Sequence, residues 1–154
     1  MLSAIEIKEI NAELNHSVTR ASACVDALNI VQRRRGWVSD EALKDIASHL
    51  GMTPDELEAI ATFYSFIFRR QVGRHVILIC DSISCWVMGY NPLIDVLKAT
   101  LNICFGETTA DRRFTLLPIT CLGACDRAPA MMVDDELYGP VTPEMMDAVL
   151  SKYK

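Results

Sequence analysis

The sequence predicts an α+β protein in two parts, a helical bundle over residues 1–72 followed by a small α/β domain over residues 73–154. Three observations carry that expectation. The first seventy or so residues hold helix punctuation and almost no strand signal, whereas from His75 the helical spacing of apolar residues gives way to short continuous apolar runs. A length of 154 residues with 51% hydrophobic content suits one domain or two small ones with a packed core. Two close cysteine pairs, Cys80 with Cys85 and Cys121 with Cys125, each follow a strand-like run, so the second part reads as the scaffold on which they are mounted.

In the first part, Ser3 is placed to cap a short helix in which Ile5, Ile7 and Ile10 form an imperfect stripe. A longer helix is expected from about Thr19 to Arg35, with Val25, Leu28 and Val31 at helical spacing and Gly36 as its stop. Arg33-Arg34-Arg35 stands at the end of that helix, where positive charge complements the dipole. Ser39 caps a third helix whose Leu43, Ile46, Ala47 and Leu50 share one face, ending at Gly51. Thr53-Pro-Asp-Glu56 is a capping box with proline at the first helical position. The helix it opens is expected to continue through Leu57, Ile60, Ala61 and Tyr64 into Phe63-Tyr-Ser-Phe-Ile-Phe68. That aromatic run is apolar around most of its circumference, which calls for burial on more than one side, within the chain or against a partner.

The second part opens with His75-Val-Ile-Leu-Ile-Cys80, a buried strand ending on a cysteine. A helix follows from near Trp86 to Leu101, with Pro92 moving its start to Leu93 or kinking it. Then come a strand at Phe114-Thr-Leu-Leu-Pro-Ile119, a short strand at Met131-Met-Val133, a turn at Asp134-Asp-Glu136 and another short strand near Leu137. A last helix is capped by Thr142 with Pro143 behind it.

Composition narrows the function. A net charge of -5 and a single basic triplet disfavour nucleic acid, which needs clustered Lys and Arg. The opening Met-Leu-Ser-Ala-Ile-Glu-Ile-Lys carries charges where a signal peptide needs an apolar core, and no run reaches membrane-spanning length, so a soluble, cytoplasmic protein is expected. No G-x-G-x-x-G, Walker or nucleophile-elbow sequence is present, and no catalytic residue is assigned.

In a reducing compartment, six cysteines favour metal ligation over disulfides. Cys24 and Cys104, both among apolar neighbours, read as buried inert thiols. The two pairs have four and three intervening residues, and the chain contains no C-x-x-C, which disfavours structural zinc and thioredoxin-type dithiol chemistry. C-x4-C also opens the plant ferredoxin pattern, but Met88 stands where its third cysteine belongs. Gly123 lets backbone amides approach a bulky anionic group. Asp81, Ser82 and Ser84 supply hydrogen bonds within the first loop or to turn backbone, and Asp126 with Arg127 reads as a solvated ion pair. None of His16, His49 or His75 lies in a cysteine pair, so a Rieske-type site has no support.

The cysteines and their flanks resemble the family of 2Fe-2S E subunits of bacterial NADH-quinone oxidoreductase, respiratory complex I. The family pattern of C-x4-C followed by C-x3-C is met by Cys80, Cys85, Cys121 and Cys125. The stretches Ala61-Thr-Phe-Tyr-Ser65, Val72-Gly-Arg-His-Val76, Phe114-Thr-Leu-Leu-Pro118 and Cys121-Leu-Gly-Ala-Cys125, with Met131-Met132, are similar to the bacterial versions, and the likeness runs from about Ala27 to Lys154. The resemblance implies a thioredoxin-like ferredoxin fold for the second part, in which Ala128-Pro129 occupies a place where such folds often carry a cis-proline. It implies one 2Fe-2S cluster on those four cysteines, next to the FMN of a flavin- and NADH-binding partner subunit and off the main line of clusters leading to quinone. FMN and NAD would then lie only on that partner. Other peripheral-arm subunits complete the expected partners, with the membrane reached only through the complex, at the inner face of the cytoplasmic membrane. Relatives with the same ligand spacing serve NAD-dependent hydrogenases and formate dehydrogenases, and a redox-silent structural zinc module is the alternative of a different kind.

Overall fold

The computed structural model describes residues 1–154, which divide into two compact units, Met1–Gln71 and Val72–Lys154. The first contains four helices, α1 (Ala4–Leu14), α2 (Cys24–Arg35), α3 (Asp40–Leu50) and α4 (Pro54–Phe63). Their starts follow the capping chemistry of the sequence. Ser3 and Glu6 form a reciprocal capping box on α1, Ser39 Oγ accepts from the Ala42 N–H on α3, and Thr53 with Glu56 forms a second capping box on α4. Gly36 and Gly51 end α2 and α3 in the left-handed region. Ile10, Leu28, Val31, Ile46 and Leu57, all fully buried, meet in the core of this unit.

Three expectations are corrected here. The helix beginning near Thr19 starts instead as a 3-10 turn at Ala21–Ala23, with α2 proper opening at Cys24. Thr19 and Ser22 exchange side-chain and backbone hydrogen bonds, which tighten the chain before the helix. The basic triplet does more than complement a dipole: Arg35 pairs with Glu6 at 2.7 Å and Arg34 with Glu9, tying α2 to α1. The aromatic run leaves the helix at Tyr64, whose backbone is extended, and of its residues only Ile67 enters the core. Gln32 holds the departing strand of chain, donating to the Phe66 carbonyl at 2.7 Å and accepting from the Phe68 N–H at 2.6 Å. Phe63, Tyr64 and Phe66 are consequently exposed, Phe63 to 80%, rather than buried on several sides.

The second unit is a four-stranded sheet in the order β2-β1-β3-β4, formed by β1 (His75–Cys80), β2 (Phe114–Ile119), β3 (Met131–Val133) and β4 (Glu136–Tyr138). β1 and β2 are parallel in a register running from His75 opposite Phe114 to Cys80 opposite Ile119. β3 pairs antiparallel with β1, and β4 antiparallel with β3. The apolar runs do form these strands, and Ile77 and Ile79 of β1 pack with Leu93, Leu97 and Phe114 in one core. The outer side of β2 is partly covered by its own preceding loop, with Gly106 N–H donating to Leu116 O at 2.8 Å and Leu116 N–H to Glu107 O at 3.2 Å.

The expected single helix after β1 is two helices, α5 (Ile83–Val87) and α6 (Tyr90–Leu101), broken at Gly89 with φ 116°. Pro92 sits in the first turn of α6, where the missing N–H costs no helical bond, so it neither kinks the helix nor delays it to Leu93. At the other end, Pro143–Met145 form a 3-10 turn before α7 (Met146–Leu150), and Thr142 makes no side-chain cap to it. Cys24 is buried as expected, but Cys104 is exposed. The Ala128-Pro129 and Gly139-Pro140 peptide bonds are cis.

Candidate metal centre

The parallel register brings the two cysteine loops side by side. Cys80 is the last residue of β1 and faces Ile119, the last residue of β2, so the chain leaves both strands at one end of the sheet. Backbone hydrogen bonds continue past the strands, from Asp81 N–H to Ile119 O at 2.8 Å and from Cys80 N–H to Ala130 O at 3.1 Å. Cys80 is thereby fixed between the second pair's strand and Ala130. Cys85 lies within α5, one turn further on, and is only 1% exposed.

The thiols form two environments. Cys80 and Cys85 are buried in a small cluster with Ala124, Ala128 and Ala130, whereas Cys121 and Cys125 lie on the exposed side. Burial raises the Cys80 thiol, but hydrogen bonds from the Ser82 hydroxyl, the Leu122 N–H, the Cys85 thiol and the Ser82 N–H together outweigh it and hold the group below its ordinary value. For Cys85 burial prevails and pushes the thiol up, against the N–H of Ala130. Backbone donors from the second loop and from the segment after it thus face the buried pair. On the outer side Gly123, at φ 72°, directs its own N–H to Cys121 Sγ at 3.3 Å. A Cβ at that position would meet nothing within 4 Å, so the loop keeps an open side there.

Sequence reasoning singled out the four cysteines but not the groups around them. Ser82 has the backbone of a helix N-cap yet makes no cap bond, and its Oγ lies 3.4 Å from Cys80 Sγ. Ala130 gave no sequence signal beyond its place after Ala128-Pro129. Tyr90, nearly buried at the start of α6, has its phenol pushed up to about 12 by burial and by the Asp81 carboxylate, so it stays a neutral donor beside the loop. Asp126 and Arg127 are 3.9 Å apart and exposed, the solvated pair expected. No three His, Cys, Asp or Glu side chains converge closely enough to grip a single metal ion. No helix is long and apolar enough to cross a membrane. A further feature is the exposed side of α5, where Ile83, Trp86 and Val87 stand in solvent together with Met88 just after the helix, Trp86 at 56%.

A mixed sheet flanked by helices, with thiol pairs beyond one end of adjacent parallel strands, defines a small α/β protein with a candidate thiolate site. The chain belongs to the thioredoxin-like [2Fe-2S] ferredoxin family, whose model matches residues 7–154. It is 48% identical to the E subunit of NADH-quinone oxidoreductase from Escherichia coli (strain K12) over 153 residues, 99% of this chain and 92% of the relative. It is 45% identical to the protein of the same name from Pseudomonas aeruginosa, again over 99% of this chain and 92% of the relative. Among solved structures it is similar to a chain of an NAD+-reducing [NiFe]-hydrogenase in the air-oxidized state. The TM-score is 0.69 at 27% identity, over 81% of this chain and 22% of that one.

Proposed function

We propose that this chain is the electron-carrying E subunit of an NADH-quinone oxidoreductase and holds one 2Fe-2S cluster on Cys80, Cys85, Cys121 and Cys125. The observation that carries the reading is the placement of both cysteine pairs on adjoining strand ends, Cys80 opposite Ile119, in a chain so similar to named E subunits along nearly all its length. The donor set suits such a cluster. Four thiols arranged as two pairs, with backbone N–H groups of Leu122 and Ala130 facing the buried pair, supply soft anionic ligands and hydrogen bonds to their sulfurs. When bound, the cluster supplies one-electron chemistry. The protein's own part is to keep Cys80 and Cys85 dry, to satisfy thiolate charge with amide donors and to leave Cys121 and Cys125 near the surface.

NADH gives up two electrons as a hydride, and a single-electron carrier needs a flavin between itself and that donor. The reading therefore places FMN and NAD on a flavin- and NADH-binding partner subunit, with this chain beside the flavin. The assembly lies peripherally at the inner face of the cytoplasmic membrane. The likeness to the hydrogenase chain favours a second reading, the equivalent subunit of an NAD-dependent hydrogenase, and copurification from the native source separates the two by the large subunits recovered.

The test is the anaerobically purified chain. Iron and acid-labile sulfide are each expected at about two per chain, the stoichiometry of this cluster type. Dithionite is expected to bleach the visible absorbance, and NADH alone to leave it unchanged until the flavin subunit is added. Stoichiometric zinc without sulfide would refute the cluster, and rapid bleaching of the flavin-free chain by NADH would refute the division of roles.

A further inference from the structure

We infer that Ser82 is a positioning residue whose hydroxyl sets the reduction potential of the centre by hydrogen bonding to the sulfur of Cys80. The inference rests on the proposed ligation by Cys80. A serine with N-cap backbone, here φ -93° and ψ 162°, ordinarily turns its oxygen onto the amides of the helix it opens. Ser82 does not, although α5 begins at the next residue. Its Oγ lies instead 3.4 Å from Cys80 Sγ, two residues back along the chain. The helix start gives up its usual side-chain cap, and the hydroxyl is committed to the thiol.

A ligating Cys80 carries no proton, so within this pair only the Ser82 O–H is able to donate. The partner atom is buried: Cys80 is 2% exposed, so water does not replace the donor freely. A hydrogen bond to a ligating sulfur favours the state carrying more negative charge, the reduced one, and hydrogen bonds to the sulfurs are among the determinants of cluster potential. Removing the hydroxyl therefore shifts the equilibrium toward the oxidised state and lowers the potential.

The experiment is a potentiometric titration of the holo protein followed by its paramagnetic signal, with iron and sulfide measured on every sample. Ser82→Ala is expected to load fully and to be reduced with an equilibrium constant several-fold to about tenfold smaller, tenfold being 59 mV for a one-electron couple. Ser82→Thr, which keeps a hydroxyl, is expected to restore the wild-type value, and Ser84→Ala, within α5, to leave it unmoved. A fully loaded Ser82→Ala protein with unchanged or raised potential overturns the inference. Failure of Ser82→Ala or Ser82→Gly to load iron also overturns it, by making the hydroxyl a requirement of assembly instead. Absence of iron and sulfide in the wild-type protein is the separate outcome that removes the ligand assignment beneath it.

Discussion

The N–H of Asp81 donates to the carbonyl of Ile119 at 2.8 Å, one step beyond the last register pair of the parallel strands. The sheet's hydrogen bonding therefore extends into the loops that carry the cysteines. Cys80 is held by backbone at the end of a rigid element, with Cys121 two residues beyond Ile119, so the placement of the first thiol does not depend on side-chain packing alone.

Single replacements of Cys80, Cys85, Cys121 or Cys125 by Ala are expected to abolish stable iron and sulfide binding. Cys24→Ala and Cys104→Ala are expected to retain it. Cys24 is buried in the first unit and costs roughly 1 kcal/mol in lost packing, while the exposed Cys104 costs little. Elemental analysis with sulfide assay across the six variants checks the set. Iron loss on changing Cys24 or Cys104 would show that the ligands are misassigned.

Acid weakens the first unit through Glu6. This carboxylate is 2% exposed and bonded to Arg35 through both oxygens at 2.7 Å, and the Arg35 side chain lowers its pKa to about 2. A folded value below the unfolded one contributes stability above pH 4.5, and that contribution is lost as pH falls from about 5 toward 2. Its size is at most about 3 kcal/mol. Glu6→Gln is therefore expected to be less stable than wild type at pH 7, by an amount that shrinks on acidification. Parallel urea unfolding of both proteins from pH 7 to pH 4 checks this, since any cluster contribution is common to both. A pH-independent difference would show that the ion pair is not the cause.

Gly139→Ala is expected to disturb the centre from a distance. A Cβ there would overlap the backbone oxygen of Arg127, and backbone cannot swing aside as a side chain does. Overpacking of this kind costs about 1–3 kcal/mol. The strain falls on Arg127, two residues after Cys125, and on Ala128, so iron content is expected to drop along with the melting temperature. A fall in melting temperature at full iron content would show that the strain stops short of the second loop.

The exposed aromatics offer a separable test of the partner surface. Phe63→Ala with Phe66→Ala removes one ring that stands in solvent, 80% exposed, and one that is about half exposed, at 46%, so stability is expected to fall by about 1 kcal/mol or less. Copurification of the flavin subunit is expected to weaken while the visible spectrum stays intact, as for aromatic anchors in a contact patch. Undiminished copurification would remove this segment from the interface.

How much of this was legible in the sequence depended on whether the signal was local. Capping at Ser3, Ser39 and Thr53 is written within four residues, and those helix starts appear where the residues put them. The strand runs ending at Cys80 and Ile119 were equally plain. What escaped depends on partners distant in the chain or on competing local bonds. Nothing near Phe66 says that Gln32 will hold its carbonyl, so the departure from helix at Tyr64 was hidden. Gly89 broke a helix that apolar spacing alone would have run through, and Thr19 with Ser22 consumed the first turn of another. The donors from Leu122 and Ala130 come from main chain, which composition does not reveal.

The order β2-β1-β3-β4 leaves two rims of the sheet, and each is blunted differently. β4 is only three residues long, too short to template another strand. On β2 the preceding loop occupies the hydrogen-bonding groups around Leu116, and beyond it Pro118 has no N–H to offer. Neither rim invites an added strand, so a copy of this chain awaiting its place in a larger machine is protected from joining its neighbours edge to edge into insoluble aggregates.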